Sequence, residues 1–303
     1  MTVPISLEEV VQLLDGSKLI SYFLVSSAVL FLYDWMLLLP VELEVVWSEK
    51  LQPSNVLYII QRYMPFVDTI GLLFAVDFVQ PIEPNTCRIL YNTSAWMYLI
   101  GIALTEVVLT MRTCALWGKD IKLTIGLAIF FVACWILDAY IVHLFLDSQA
   151  YIPSPILRIG CVIVGGKPIL SVGWVIVMVY EAMILTLTLI PGVAFFPASY
   201  TFRSGSWSAL TTVVYRDGIT YYLLLFGLSL ANLLTVLLLP VSFYILSLVP
   251  STHPLAQHNL QNLFIPYQRV MHTLLTSRVI LHIRSQSRKP PTTSTLVVDA
   301  TCL

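Results

Sequence analysis

"SYFLVSSAVLFLYDWMLLLPVELEVVWSEK" occupies positions 21–50. From Ser21 to Leu39 it holds one charged residue, Asp34. About 20 apolar residues are what a helix needs to cross a bilayer, so the run reads as a membrane span. Pro40 closes the greasy part, and Glu42, Glu44 and Glu49 follow it. These glutamates are expected to form a short polar turn before the next span. The carboxylate of Asp34, inside the span, needs a partner.

The rest of the chain has the same character. Hydrophobic residues make up 58% of its 303 positions and charged residues 11%, and mean hydropathy is +0.85. Soluble domains carry roughly 25% charged residues, so this chain has too little charge to cover a water-facing surface. Membrane lipid is its expected solvent. A net charge of −1 gives no electrostatic footprint for nucleic acid.

Spans are predicted near 19–41, 54–78, 89–111, 121–146, 169–192, 218–240 and 259–281, which makes an all-α transmembrane bundle. Residues 218–249 are apolar for about 48 Å of helix, too long for one span and too short for two. The seventh span, with Pro266, Arg269 and His272, is poor in isolation but tolerable inside a bundle. Residues 1–18 lack a basic leader. Ser6 and Glu9 match a capping box, and Leu7, Val10, Val11 and Leu14 share one helical face. That segment reads as an interfacial or a plain surface helix. Residues 283–303 are polar and read as a disordered tail.

Basic residues orient the bundle. With seven spans and the N-terminus outside, the cytoplasmic side holds Lys50, Arg112, Lys119, Lys122, Arg203, Arg216, Arg278, Arg284, Arg288 and Lys289. The outside holds Lys18, Arg88, Arg158 and Lys167. This is the positive-inside asymmetry. Cys87 and Cys161 then face an oxidising compartment, where a disulfide persists. A bond between them would tie the second outer loop to span three, a staple similar to that of G-protein-coupled receptors. Two unrelated thiols is the alternative.

Charges within lipid are expensive, and they pair or face a cavity. The set here is Asp34, Arg62, Asp68, Glu106, Asp138 and Glu181, with His143 and Asn232 as further polar members. Asp34 and Arg62 lie about 10 and 12 Å from the loop joining their spans, so they are expected to pair. Glu106, about 8 Å from the same end of span three, is expected to join them. Two roles are open for this cluster: a polar switch or proton relay, and a pair that fixes helix register, which is the favoured one. Glu181 lies nearer the midplane with no evident partner and is the candidate contact for a ligand or ion. Pro65 is expected to kink span two. Trp35, Trp47, Trp96, Trp117 and Trp174 fall near span ends, as interface anchors do.

Hydrolase, nucleotide-binding and metalloprotease signatures are absent, and the histidines lack metal-ligand spacing. The sequence therefore assigns no catalytic, cofactor or metal residue, and an enzyme is not expected.

Residues 21–68 carry a resemblance. Tyr33-Asp34-Trp35, then Glu42 or Glu44 with Trp47, then Arg62-Tyr63 before Pro65, is similar to the N-terminal domain of unknown function 6533 of basidiomycete fungal multi-spanning membrane proteins. "LTSRVILHIR" at 275–284 resembles that group's last helix and basic exit. The resemblance implies a seven-span, receptor-like protein without a known ligand. Three functions are in view: a receptor-like sensor in the plasma membrane or an endomembrane, a structural or lipid-organising protein, and a small transporter or membrane enzyme. The expected partners are membrane lipids, with a cytosolic signalling partner at the basic loops and the tail (Thr292, Thr293, Ser294).

Overall fold

A backbone in lipid must satisfy its own hydrogen bonds, so long apolar runs become helices. The computed structural model describes residues 7–48, 53–74, 84–118, 120–153, 161–164, 169–201, 209–246 and 263–287, with side chains over a smaller set. Among the described residues the helices are α1 (Leu7–Val45), α2 (Pro53–Pro65), α3 (Gly71–Leu73), α4 (Pro84–Leu116), α5 (Ile121–Asp147), α6 (Leu170–Thr201), α7 (Ala209–Leu246) and α8 (Ile265–Ser287). A π turn over Phe66–Ile70 joins α2 to α3, so the described residues form seven rods. The exception to helix is an antiparallel hairpin between α5 and α6, β1 (Ala150–Pro153) and β2 (Cys161–Val164), in which Pro153 faces Cys161. We call this the hairpin end of the bundle.

Among the described residues, five helices are long and apolar enough to cross a membrane: Lys18–Val45, Asn85–Leu116, Ile121–Asp147, Leu170–Ile190 and Ile219–Leu238. They cover the predicted spans one and three to six. The long run after 218 resolves as one helix, α7, that outlasts its apolar part. The α2–α3 rod and α8 are not among the five. The first is short and holds Arg62 and Asp68, and the second is largely polar.

The patterning is inverted relative to a soluble protein. Along α5, Ile121, Ile125, Ile129, Val132 and Ile136 are each more than half exposed, an apolar stripe at helical spacing suited to lipid. Arg62 and Arg269 head the largest fully buried side chains. α8 packs against α1, α2, α4 and α7, so the most polar rod sits at the centre.

Several boundaries differ from the sequence reading. The segment expected as a separate surface helix before residue 19 is, from Leu7 on, continuous with α1. Helix also continues through Pro40, so Glu42 and Glu44 are helical and not part of a polar turn; Glu42 is fully buried. α8 starts at Ile265 and runs to Ser287, into the stretch expected as tail. Gly118 ends the turn after α4 at φ 63°, the left-handed conformation glycine takes most easily. The carboxylate of Asp120 then caps α5 by accepting from the Lys122 N–H at 3.0 Å.

Pro65 does not produce a simple kink. It has no N–H to offer the preceding turn, and the helix widens just beyond it into the π turn, closed by the Gly71 N–H on the Phe66 carbonyl. Phe66 then packs between Phe31 at 4.9 Å and Trp35 at 5.4 Å, fastening this turn to α1.

Candidate functional site

Along α8, Gln268, Arg269, His272, Thr273, Thr276 and Ser277 recur as adjacent pairs every four residues, which makes one polar stripe. All six are buried. From Ile265 to Arg278 the stripe spans about 20 Å. It meets three separate polar clusters.

The first lies at the end opposite the hairpin. Arg62 of α2 donates from Nη1 to Asp34 of α1 at 3.0 Å, and its Nε lies 3.5 Å from Glu42. Arg278 of α8 reaches the other Asp34 oxygen from Nη2 at 2.7 Å and from Nε at 2.9 Å. Glu42 accepts from the Tyr63 hydroxyl at 2.9 Å and the Trp47 indole at 3.2 Å. Two carboxylates thus meet two guanidinium groups. Residues read as the family-like pattern, Asp34, Glu42, Trp47, Arg62 and Tyr63, converge here. Tyr33 does not; it is exposed.

The second cluster centres on Asp68 in the π turn. Arg269 donates from Nε at 2.9 Å, and the Thr69 hydroxyl donates at 2.8 Å. Arg269 also donates to Thr273 at 2.5 Å. Its guanidinium lies against Gly101 of α4, where an added Cβ would overlap it. Nearby, the Gln61 amide donates to Thr105.

The third cluster joins α4, α6 and α8. His272 places Nδ1 3.9 Å from Glu106 and Nε2 3.5 Å from Glu181. One turn further along α4, the hydroxyls of Thr110 and Tyr180 lie 2.6 Å apart.

At the hairpin end the interior changes from polar to apolar. A cavity of about 140 Å³ opens among α1, α4, α5, α6 and α8, lined by Leu24, Tyr98, Trp135, Val142, Trp174 and Ile265 among others. Its one carboxylate is Asp138, 6% exposed, with no ion pair or hydrogen bond among the described residues. A Cβ on Gly173 would sit 2.6 Å from the Asp138 carboxylate, so this glycine is what lets the side chain lie over α6.

The structure thus brings Asp34 and Arg62 together and places Glu106 elsewhere. Depth along a helix does not fix direction around it. Thr105 faces Gln61 of α2, and Glu106, one residue on, points about 100° away, toward α6. Glu181 has neighbours after all and does not line the cavity. Asp138 takes the cavity position. Its signal in the sequence was the face Trp135, Asp138, Val142, Phe145. Trp174 is buried beside the cavity and is no interface anchor, whereas Trp47, Trp96 and Trp117 are each more than a third exposed. His143 is not in the interior network; it is exposed and lies 3.7 Å from Asp147. Cys87 is buried at the start of α4, and the side chain of Cys161 lies outside the described residues. Cys114 and Cys134 are free thiols.

No curated protein and no solved structure matches this chain. One family profile does, over the segment that builds the first cluster. Residues 22–67 match a Family of unknown function (DUF6533).

Proposed function

We propose that this chain is a receptor-like sensor in the plasma membrane or an endomembrane, taking a small cationic ligand at Asp138. The observation that carries this reading is the cavity at the hairpin end with its single unpartnered carboxylate. A buried charge in lipid normally pairs or faces a cavity, and Asp138 faces one. An engineered apolar cavity of roughly 150 Å³ holds benzene, so the space suits a ring or short alkyl body. An amine on that body would meet Asp138.

In this proposal the α2–α3 rod and α8 complete seven spans, sheathed by the five apolar helices. The N-terminus is outside and the C-terminus cytosolic, as the basic residues favour. Cytosolic partners would meet the basic loops and a tail whose Thr292, Thr293 and Ser294 lie outside the described residues. The basidiomycete resemblance belongs to the same proposal, as does the Cys87–Cys161 bond. Support for the bond is positional: Cys161 pairs with Pro153 of β1, and β1 packs on α4, which begins just before Cys87. With Cys114 and Cys134 changed to serine, thiol labelling should rise on reduction; unchanged labelling removes the bond.

Benzylamine and toluene, added to the protein in nanodiscs, test the site. The amine should bind at least about tenfold more tightly than toluene, a margin of about 1.4 kcal/mol, and Asp138→Asn should abolish the preference. Equal binding of the two probes to wild type refutes the reading. In the structural alternative, favoured by how firmly α8 is held by the polar clusters, neither probe raises the melting temperature. Transport or membrane catalysis would require turnover of a substrate that Asp138→Asn or Glu181→Gln stops.

A further inference from the structure

The three polar clusters differ in how their charges are satisfied. Around Asp34, two carboxylates face two guanidinium groups. Asp68 has Arg269 and the Thr69 hydroxyl. The third cluster has no such balance. All four carboxylate oxygens of Glu106 and Glu181 are buried without a hydrogen bond, and so is Nδ1 of His272. Five orphaned polar atoms at one place, where the neighbouring Asp34 and Asp68 are paired with guanidinium groups, require an explanation. Among the described residues, His272 is the only basic group within ion-pair reach of either glutamate. A neutral imidazole would leave a charge of −2 in the low-dielectric interior.

We propose that Glu106, Glu181 and His272 form a binding site for a divalent metal ion of the zinc class. One oxygen from each glutamate and one ring nitrogen of His272 lie within 4.8 Å of one another. Zinc binds such donors at ~2.0–2.2 Å, which sets donor separations near ~3.4 Å in a tetrahedral site, so the side chains need to close by about an ångström. Two carboxylates and an imidazole suit zinc, manganese or iron(II) better than the harder calcium or magnesium, which prefer all-oxygen shells. A +2 ion cancels the two carboxylates, and the site then becomes neutral like its two neighbours. Because the ligands come from α4, α6 and α8, at positions 106, 181 and 272, no local spacing announces the site. The ion would tie the polar central rod to two of the lipid-facing helices.

The proposal does not rest on the receptor reading, and either can fail alone. The test uses the full chain, purified in detergent without a histidine tag, with its metal measured by elemental mass spectrometry. Wild type and the lipid-face control Ile129→Val should carry about one zinc-class ion per chain. Glu106→Gln, Glu181→Gln and His272→Ala should each fall below about a tenth of that, since loss of a direct ligand costs more than the 10–100-fold seen for outer-shell partners. A chelator should lower the melting temperature of wild type by about 5 °C, and added zinc should restore it. The competing arrangement is a proton shared between the two carboxylates. Metal near zero in wild type with no chelator effect, or a Glu106→Gln variant as stable as wild type, overturns the site in its favour. Metal content unchanged in all three variants overturns it too. If the variants do not accumulate, the wild-type metal content and chelator response still decide.

Discussion

α5 and α8 are of similar length, 27 and 23 residues, and have opposite chemistry. α5 turns Ile121, Ile125, Ile129, Val132 and Ile136 outward, and its buried acid, Asp138, faces the cavity. α8 buries a glutamine, an arginine, a histidine and a run of hydroxyls. By hydropathy α5 is a clear span and α8 is not. The difference follows exposure: α5 turns an apolar stripe outward, and α8 is enclosed by other helices. A rod surrounded by other helices escapes the lipid requirement, and Gln268, Arg269 and Arg278 find partners on its neighbours.

Four substitutions would break or sharpen this contrast. The largest effect is expected for Arg269→Ala, which strands Asp68 in the interior. Breaking such a buried pair costs about 3–5 kcal/mol, and unfolding in nanodiscs would measure it. A loss no larger than that of Ile129→Val would mean α8 does not depend on its internal charges. The mirror experiment puts a charge on α5. Ile136→Asp, on the exposed stripe, should oppose membrane insertion by about 2.5–3.5 kcal/mol in a glycosylation-reporter assay. Efficient insertion would place that face away from lipid.

Gly101→Ala comes next. The added methyl meets the Arg269 guanidinium, and overpacking of this kind costs about 1–3 kcal/mol. In an Arg269→Ala background the same change should be close to neutral, so the double-mutant cycle isolates the contact. Additive effects would show that the strain arises elsewhere. The smallest expected effect is for Thr110→Val, which removes the hydroxyl bond to Tyr180 and should cost about 1 kcal/mol in the same unfolding assay. A cost above that of Gly101→Ala would move the main α4–α6 link to this pair.

Much of the fold was legible from the chain. Apolar runs located five of the helices and the class, because lipid imposes length and composition directly. Asp34 and Arg62 could be matched because a short connection sets two antiparallel helices at equal depth. Their further partners could not. Glu42 looked like a loop residue because Pro40 reads as a stop, yet proline inside a long helix is tolerated in membranes where neighbours satisfy the freed carbonyl. Arg278 lies 244 positions from Asp34, a separation no local pattern encodes. Glu106 was assigned to the wrong cluster by one residue's rotation about its helix axis.

What the amino-acid sequence determined by itself was the apolar character of the surroundings, the positions of five apolar helices, and the buried acids Asp34, Asp68, Glu106, Asp138 and Glu181. Those follow from transfer free energies, which act residue by residue. Only the tertiary structure decided which charges meet. It set Arg269 over Gly101 to reach Asp68, gathered Glu106, Glu181 and His272 from three helices, and left Asp138 facing the cavity with no partner among the described residues. Those outcomes depend on helix rotation and on which rods are neighbours, and packing of the whole bundle sets both.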